Sequence, residues 1–227
     1  MPPVSLAEIF GIAAFSLHLT AYLLYAYFIF RGSVRPNAAS WFMWLVGGWV
    51  EYLTYDAIGD GHWSTSALPF ACVIGLSIIF ATTVFLQMRS RIGRTHQSMQ
   101  YHAPERADYF LVLFDLSTLV IWLKWSLAGL ANMLAVGSSI VTFIPIWRTT
   151  YETHEENPVP WLMWCMAYTC MFVAVSIEGG EELAFKLFYP IYYFGLHLVV
   201  ALLCFKAPRS LVRTMGRVLK NKHSIVK

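Results

Sequence analysis

The sequence predicts an all-α integral membrane protein with seven transmembrane helices, on three observations. First, 58% of its 227 residues are hydrophobic and 13% charged, with a mean hydropathy of +0.56. That balance departs from soluble averages in the direction expected of a polytopic membrane protein. Second, seven apolar runs approach the roughly 17 to 25 residues that a helix needs to cross a bilayer. None alternates with period two, so the backbone must be satisfied by helices and not by a barrel. Third, the chain repeats itself: Pro36-Asn37-Ala38-Ala39-Ser40-Trp41-Phe42-Met43-Trp44 returns 120 residues later as Pro158-Val159-Pro160-Trp161-Leu162-Met163-Trp164. Long internal repeats in an apolar chain are typical of folds that enclose a central membrane site.

The first span is expected at 7–30. Residues 1–6 hold no Lys or Arg and the run exceeds a signal-peptide core, so a retained helix is expected. Arg31, Gly32 and Pro36 close it. The second span, 39–55, carries Trp41, Trp44 and Glu51 and ends before Gly59 and Gly61. The third, 66–87, begins near Pro69 and leads into a basic loop with Arg89, Arg91, Arg94, Pro104 and Arg106. A short fourth span, 108–123, contains Asp115 and ends at Lys124. Gly129 precedes the fifth, 130–147, which holds Pro145 and ends at Arg148. The sixth, 159–177, carries the second Trp pair and stops before Gly179-Gly180. The seventh, 183–205, contains Pro190, Tyr193 and His197.

Spans one to three and five to seven are the two copies. Pro69 lies 25 residues after Trp44 and Pro190 lies 26 after Trp164, each followed by a glycine, Gly75 or Gly195. An unpaired fourth span lets both copies run parallel. The expected organisation is a first three-helix repeat (1–90), a loop and linker helix (91–128), a second repeat (129–206) and a basic tail (207–227). Alternating the loops puts 14 of the 16 Lys and Arg residues on one side, leaving Lys124 and Lys186 opposite. By the positive-inside rule that side is cytoplasmic, so the N-terminus is outside and the C-terminus inside. Asp56, Asp60, Glu178, Glu181 and Glu182 fall at the outer face. Lys206, Arg209, Arg213, Arg217, Lys220 and Lys222 suit a helix resting on anionic lipid rather than nucleic acid.

This architecture resembles the PQ-loop superfamily, which includes the SWEET sugar transporters, over nearly the whole chain. The resemblance implies a 3+1+3 arrangement with N-out, C-in topology. The family's Pro-Gln pair stands here as Pro145-Ile146 in copy two and Phe28-Ile29 in copy one. Its sugar-site Trp and Asn on the last helix of each repeat have no clear match, so the resemblance does not extend to sugar as substrate.

Ionisable side chains at membrane depth are costly and ordinarily face a bundle interior. Four stand at such positions: His18, Glu51, Asp115 and His197. A histidine titrates near neutral pH and serves proton coupling or solute binding. The alternative is a buried ring bonded to a carbonyl or a Tyr hydroxyl. Glu51 is expected as a proton-coupling carboxyl or general acid, or as a structural hydrogen-bonding group. A partnership with a Ser, Thr or Tyr hydroxyl is favoured for Asp115. Trp63, Trp122, Trp125 and Trp147 suit interfacial belts. Trp41, Trp44, Trp161 and Trp164 form i,i+3 pairs that either line a vestibule or anchor at the inner interface. Pro69, Pro145 and Pro190 are candidate hinges, with a harmless first-turn proline as the alternative for Pro69 and Pro190.

Cys72, Cys165, Cys170 and Cys204 lie within spans and form no C-x-x-C pair, so neither a disulfide framework nor a metal site is expected. There is no phosphate-binding glycine loop, G-x-G-x-x-G, H-E-x-x-H or G-x-S-x-G, and no cofactor is expected. Three functions remain open. The leading one is a small-solute transporter or facilitator with a site between two helix triplets, lined by His18, Glu51, Trp44, Trp164, Tyr193 and His197. The second is a membrane-embedded cyclase acting on a lipid-like isoprenoid, with Glu51 or Asp115 as a buried catalytic acid. The third is a receptor on the same scaffold.

Overall fold

A computed structural model describes residues 4–34, 38–59, 61–93, 106–153 and 156–205. Pro36, Asp60, Arg94, Pro104 and the basic tail, with its expected lipid contact, lie outside the described residues.

Among the described residues every regular element is helical. In chain order these are α1 (Leu6–Phe30), α2 (Ala38–Ile58), α3 (Trp63–Gly93), α4 (Arg106–Trp125), α5 (Ala128–Ser138), α6 (Ile140–Thr153), α7 (Pro158–Glu178) and α8 (Leu183–Cys204). The sequence predicts seven, and the difference is a break in the fifth span. Ser139 interrupts it, its N–H bonded to the Val136 carbonyl and its own carbonyl accepting from Thr142 N–H. The hydroxyls of Ser138 and Ser139 turn back onto the Ala135 and Val136 carbonyls. Serines that bond the preceding turn weaken the helical ladder where they occur.

Five segments are long and apolar enough to cross a membrane: Leu6–Phe30, Trp63–Arg89, Ala128–Glu152, Pro158–Glu178 and Leu183–Cys204. The chain is a multi-pass membrane protein. Helices α2 and α4 have spanning length, 21 and 20 residues, but are not among those five segments. The outer surface agrees with lipid as the solvent. On α4, Tyr109, Phe110, Leu113, Leu116, Val120 and Leu123 are all exposed, a stripe that water would penalise.

The ends of the helices follow local chemistry. Ser5 caps α1 in a box with Glu8, the two backbone N–H groups bonding reciprocally to the two side chains at 3.2 and 2.7 Å. Asn157 caps α7 by accepting from the Val159 N–H at 2.9 Å. At its far end Gly179 and Gly180 take φ of +64° and +86°, a conformation that glycine alone adopts without strain.

Helix α3 lies between α1 and α2, and α8 lies between α7 and the α5–α6 pair. The two groups meet where α1 packs on α7 and α2 on α5. Helix α4 touches both α2 and α5, so it bridges the groups instead of lying at the edge of one. Small residues set the closest crossings, as is usual between membrane helices. A Cβ on Gly75 would collide with the Tyr22 ring, and one on Gly11 would lie 2.6 Å from the Ser64 carbonyl oxygen, so α1 and α3 can approach this closely only through glycine.

Trp41 is 2% exposed, and Trp161 and Trp164 are each 1% exposed, so these three are core residues and not an anchoring belt. The two pairs have the same internal geometry. Ring centroids of Trp41 and Trp44 lie 4.9 Å apart at 71°, and those of Trp161 and Trp164 lie 4.9 Å apart at 73°.

The prolines lie beyond the first turn. Helix α3 begins at Trp63 and α8 at Leu183, leaving Pro69 and Pro190 inside their helices. A proline at 190 cannot donate to the carbonyl of residue 186. The hydroxyl of fully buried Tyr55 donates to that Lys186 carbonyl at 2.9 Å, tying α2 to the turn of α8 that Pro190 leaves short of a donor. Pro145 lies inside α6, six residues after the Ser139 break.

Candidate functional site

One cavity, about 580 Å³ when the open space at its mouth is included, receives side chains from all eight helices. It holds Glu51 and Trp44 from α2, Asp115 from α4, Tyr193 and His197 from α8, Tyr22 from α1, Tyr168 from α7 and Phe143 from α6. The space exists because α2 presents Gly47 and Gly48 here. A Cβ on Gly47 would sit 2.9 Å from Asp115 Oδ2, and one on Gly48 would sit 2.7 Å from Leu76 Cδ1. At the positions 120 residues on, the second copy carries Ala167 and Tyr168.

Glu51 is 5% exposed, and its Oε1 accepts a hydrogen bond from the Tyr193 hydroxyl at 2.5 Å. A short bond from a phenol to a carboxyl oxygen is among the stronger neutral-donor bonds. Asn132 holds the backbone beneath it: its Nδ2 donates to the Glu51 carbonyl and to Thr54 Oγ1, both at 3.0 Å. The α2–α5 contact is thus pinned at the level of the carboxyl. Asn132 Oδ1 is buried without a partner.

Asp115 Oδ1 accepts from the Ser138 hydroxyl at 3.0 Å, the hydroxyl partnership expected from the sequence. The same carboxyl also faces the cavity, from a helix that the sequence treats as a linker. The two carboxyls share one chamber.

His197 Nδ1 lies 2.7 Å from the Tyr193 carbonyl oxygen. A carbonyl only accepts, so Nδ1 carries the proton and, in the neutral ring, Nε2 is an acceptor. Rings of Phe143, Trp161, Trp164 and Tyr168 surround it at centroid separations of 5.1 to 5.5 Å.

His18 does not line this cavity. It is fully buried, and neither ring nitrogen has a hydrogen-bond partner. Its neighbours are the rings of Tyr22, Tyr168 and Trp164 at 5.1, 5.3 and 6.3 Å. Trp164 also lies outside the wall, behind His197. The indole N–H groups of Trp44 and Trp164 are both buried and unpartnered, a further likeness between the copies.

Sequence reasoning missed Tyr22, Ser138, Ser139, Thr142, Phe143 and Tyr168 as wall residues. Gly47-Gly48 and the Gly137-Ser138-Ser139 run were the available signals, since small residues inside a span mark either a close approach or an interruption.

Polar ties close both ends of the seam. At one end Glu156 receives the Tyr25 hydroxyl and the Trp161 indole N–H, each at 3.0 Å. At the other, Glu178 accepts from the Ser64 hydroxyl at 2.6 Å and lies 3.7 Å from the His62 ring. Among the described residues no group of three or more His, Cys, Asp or Glu side chains is placed to hold a metal ion. Comparison with protein-family models, curated proteins and solved structures gives no match to this chain.

Proposed function

We propose that this chain is a small-solute transporter or facilitator, with the chamber around Glu51, Asp115 and His197 as its substrate site. The single observation that carries the reading is that all eight helices converge on one chamber holding three ionisable groups at membrane depth. Charge is expensive there and is retained where it serves passage or coupling.

The scaffold in this proposal is two parallel three-helix repeats joined by α4, with the broken α5–α6 pair acting as one span. In support, α3 lies between α1 and α2 as α8 lies between the α5–α6 pair and α7. The contacts α1–α7 and α2–α5 exchange under the operation that relates the copies. The Trp pairs, separated by 120 residues, share one geometry. Seven crossings with the N-terminus outside and the C-terminus cytoplasmic agree with 14 of 16 Lys and Arg residues on one side. A PQ-loop-like arrangement remains part of the proposal on these grounds. In this scheme the Glu156 and Glu178 ties are the inner and outer latches of alternating access, and Pro69, Pro145 and Pro190 permit the bending between states.

A cyclase would call for a closed, apolar chamber with one acid. Here the wall carries two carboxyls and the hydroxyl groups of Ser138, Ser139 and Thr142, which favours a polar solute. The test is a thermal-shift screen of the purified protein in detergent, setting sugars, amino acids, amines and other polar solutes against isoprenoid diphosphates, with Glu51→Gln and His197→Ala as controls. A ligand of the folded state raises its apparent stability with RT ln(1 + [L]/Kd). Stabilisation by a polar solute, lost in the variants, is the expected result. Stabilisation by isoprenoids alone would overturn the reading.

A further inference from the structure

We infer that the chamber selects a small protonated amine carrying no anionic group. This rests on the transporter reading and names the substrate class of the same site. The argument is an inventory of donors and acceptors on the wall.

Two carboxyl groups face the space, and no Lys or Arg does among the described residues. The Glu51 carboxyl accepts from Tyr193, so that phenol's proton is already committed. Ser139 donates to the Val136 carbonyl at 2.7 Å and Thr142 to the Ser139 carbonyl at 2.6 Å. The Ser138 proton is likewise committed, to Ala135 O or Asp115 Oδ1. With their protons committed, these hydroxyls have only lone pairs left to offer a ligand. His197 adds a second kind of evidence. It is 7% exposed, its Nδ1 proton goes to the Tyr193 carbonyl, and its Nε2 is left as an acceptor on a wall residue.

Such a wall matches a ligand that donates hydrogen bonds and carries positive charge. An ammonium offers up to three donors and one charge. The aromatic lining suits the same ligand, because the faces of Tyr22, Trp44, Phe143 and Tyr193 attract cations, most strongly in a desolvated site. An amino acid would bring a carboxylate to two carboxyls with no cation to receive it, so the absence of Lys and Arg argues against that class. A neutral polyol would leave both carboxyls without a cation to face them. A hydroxyl elsewhere on the amine would give the unpartnered Trp44 indole N–H an acceptor.

Matched ligands differing in one group test this on the full chain in detergent, read as a thermal shift and as Kd by calorimetry. Tyramine, its alcohol analogue tyrosol and its carboxylated analogue tyrosine form one series, and ethanolamine against ethylene glycol forms a second. The expected result is that at least one amine binds ten-fold or more tightly than its alcohol, and that tyrosine does not exceed tyrosol. Glu51→Gln and Asp115→Asn should each weaken that amine by ten-fold or more. If either variant aggregates, the wild-type series alone decides. Equal binding of amines and alcohols, or binding of no amine, overturns the inference. A sugar or other neutral solute whose binding is lost in Glu51→Gln would overturn the amine and leave the central-site reading standing. Response to isoprenoid diphosphates alone would overturn both.

Discussion

Tyr55→Phe isolates one atom whose job is legible in the structure. The Tyr55 hydroxyl is 2.9 Å from the Lys186 carbonyl, the group that Pro190 leaves without its helical donor. Removing the hydroxyl strands a buried carbonyl, which costs about 1 to 3 kcal/mol in protein interiors. Interhelical hydrogen bonds measured within membranes are weaker, about 0.6 kcal/mol on average and about 1.7 at most. The carbonyl here is buried inside protein, so we expect about 1 to 2 kcal/mol. In a chain of this size that is roughly 2 to 8 °C in Tm. The decisive step is a double-mutant cycle. Pro190→Ala restores an N–H that reaches the Lys186 carbonyl, so Tyr55→Phe in that background should cost less than about 0.5 kcal/mol. The assay is thermal unfolding in detergent followed by tryptophan fluorescence, with each of the four proteins checked for monodispersity. A coupling of about 1 kcal/mol is expected. Equal costs in both backgrounds would refute the claim that the hydroxyl substitutes for the missing proline donor.

The other expectations follow from single contacts. Gly75→Ala places a methyl against the Tyr22 ring at the α1–α3 crossing, and should lower stability by about 1 to 3 kcal/mol as overpacking does, seen as a lower Tm. Tyr193→Phe removes the 2.5 Å bond to Glu51 and leaves a buried carboxyl oxygen unpaired, which should lower stability by about 1 to 3 kcal/mol; thermal unfolding in detergent checks this. Glu178→Gln loosens the tie to Ser64 and His62, and should raise the rate at which a membrane-impermeant maleimide reaches a Ser66→Cys probe, buried within one turn of that tie, from outside. For orientation, His62 and Arg148 are both exposed: a cysteine at 62 should label from outside intact cells, and one at 148 only after permeabilisation.

The helices were legible because their signals are additive and local. Long apolar runs, terminal Gly and Pro and the Trp-x-x-Trp repeat locate each helix, although the third and fifth runs end six residues short of the ends of α3 and α6. The break at Ser139 was not legible in that way. Its cause is a local contest between serine hydroxyls and the backbone ladder, inside a run that stays apolar on average. For the site, Glu51, Asp115, Tyr193 and His197 could be named because polarity inside a span is costly wherever it occurs. Their convergence depends on Gly47 and Gly48 leaving room, which composition does not register. His18 shows the reverse. Its sequence context is as suggestive as that of His197, yet the surrounding Tyr22, Tyr168 and Trp164 rings keep it off the cavity wall. Only the packing distinguishes the two histidines.

The central claim is that solute crosses the membrane through the chamber holding Glu51. Uptake into proteoliposomes tests it directly, with radiolabelled tyramine and ethanolamine as probes and protein-free vesicles as the background. The account predicts saturable uptake by wild-type protein that falls at least ten-fold in Glu51→Gln while the variant stays folded and reconstituted. Uptake no faster than in empty vesicles, or equal uptake by the wild type and Glu51→Gln, would contradict it.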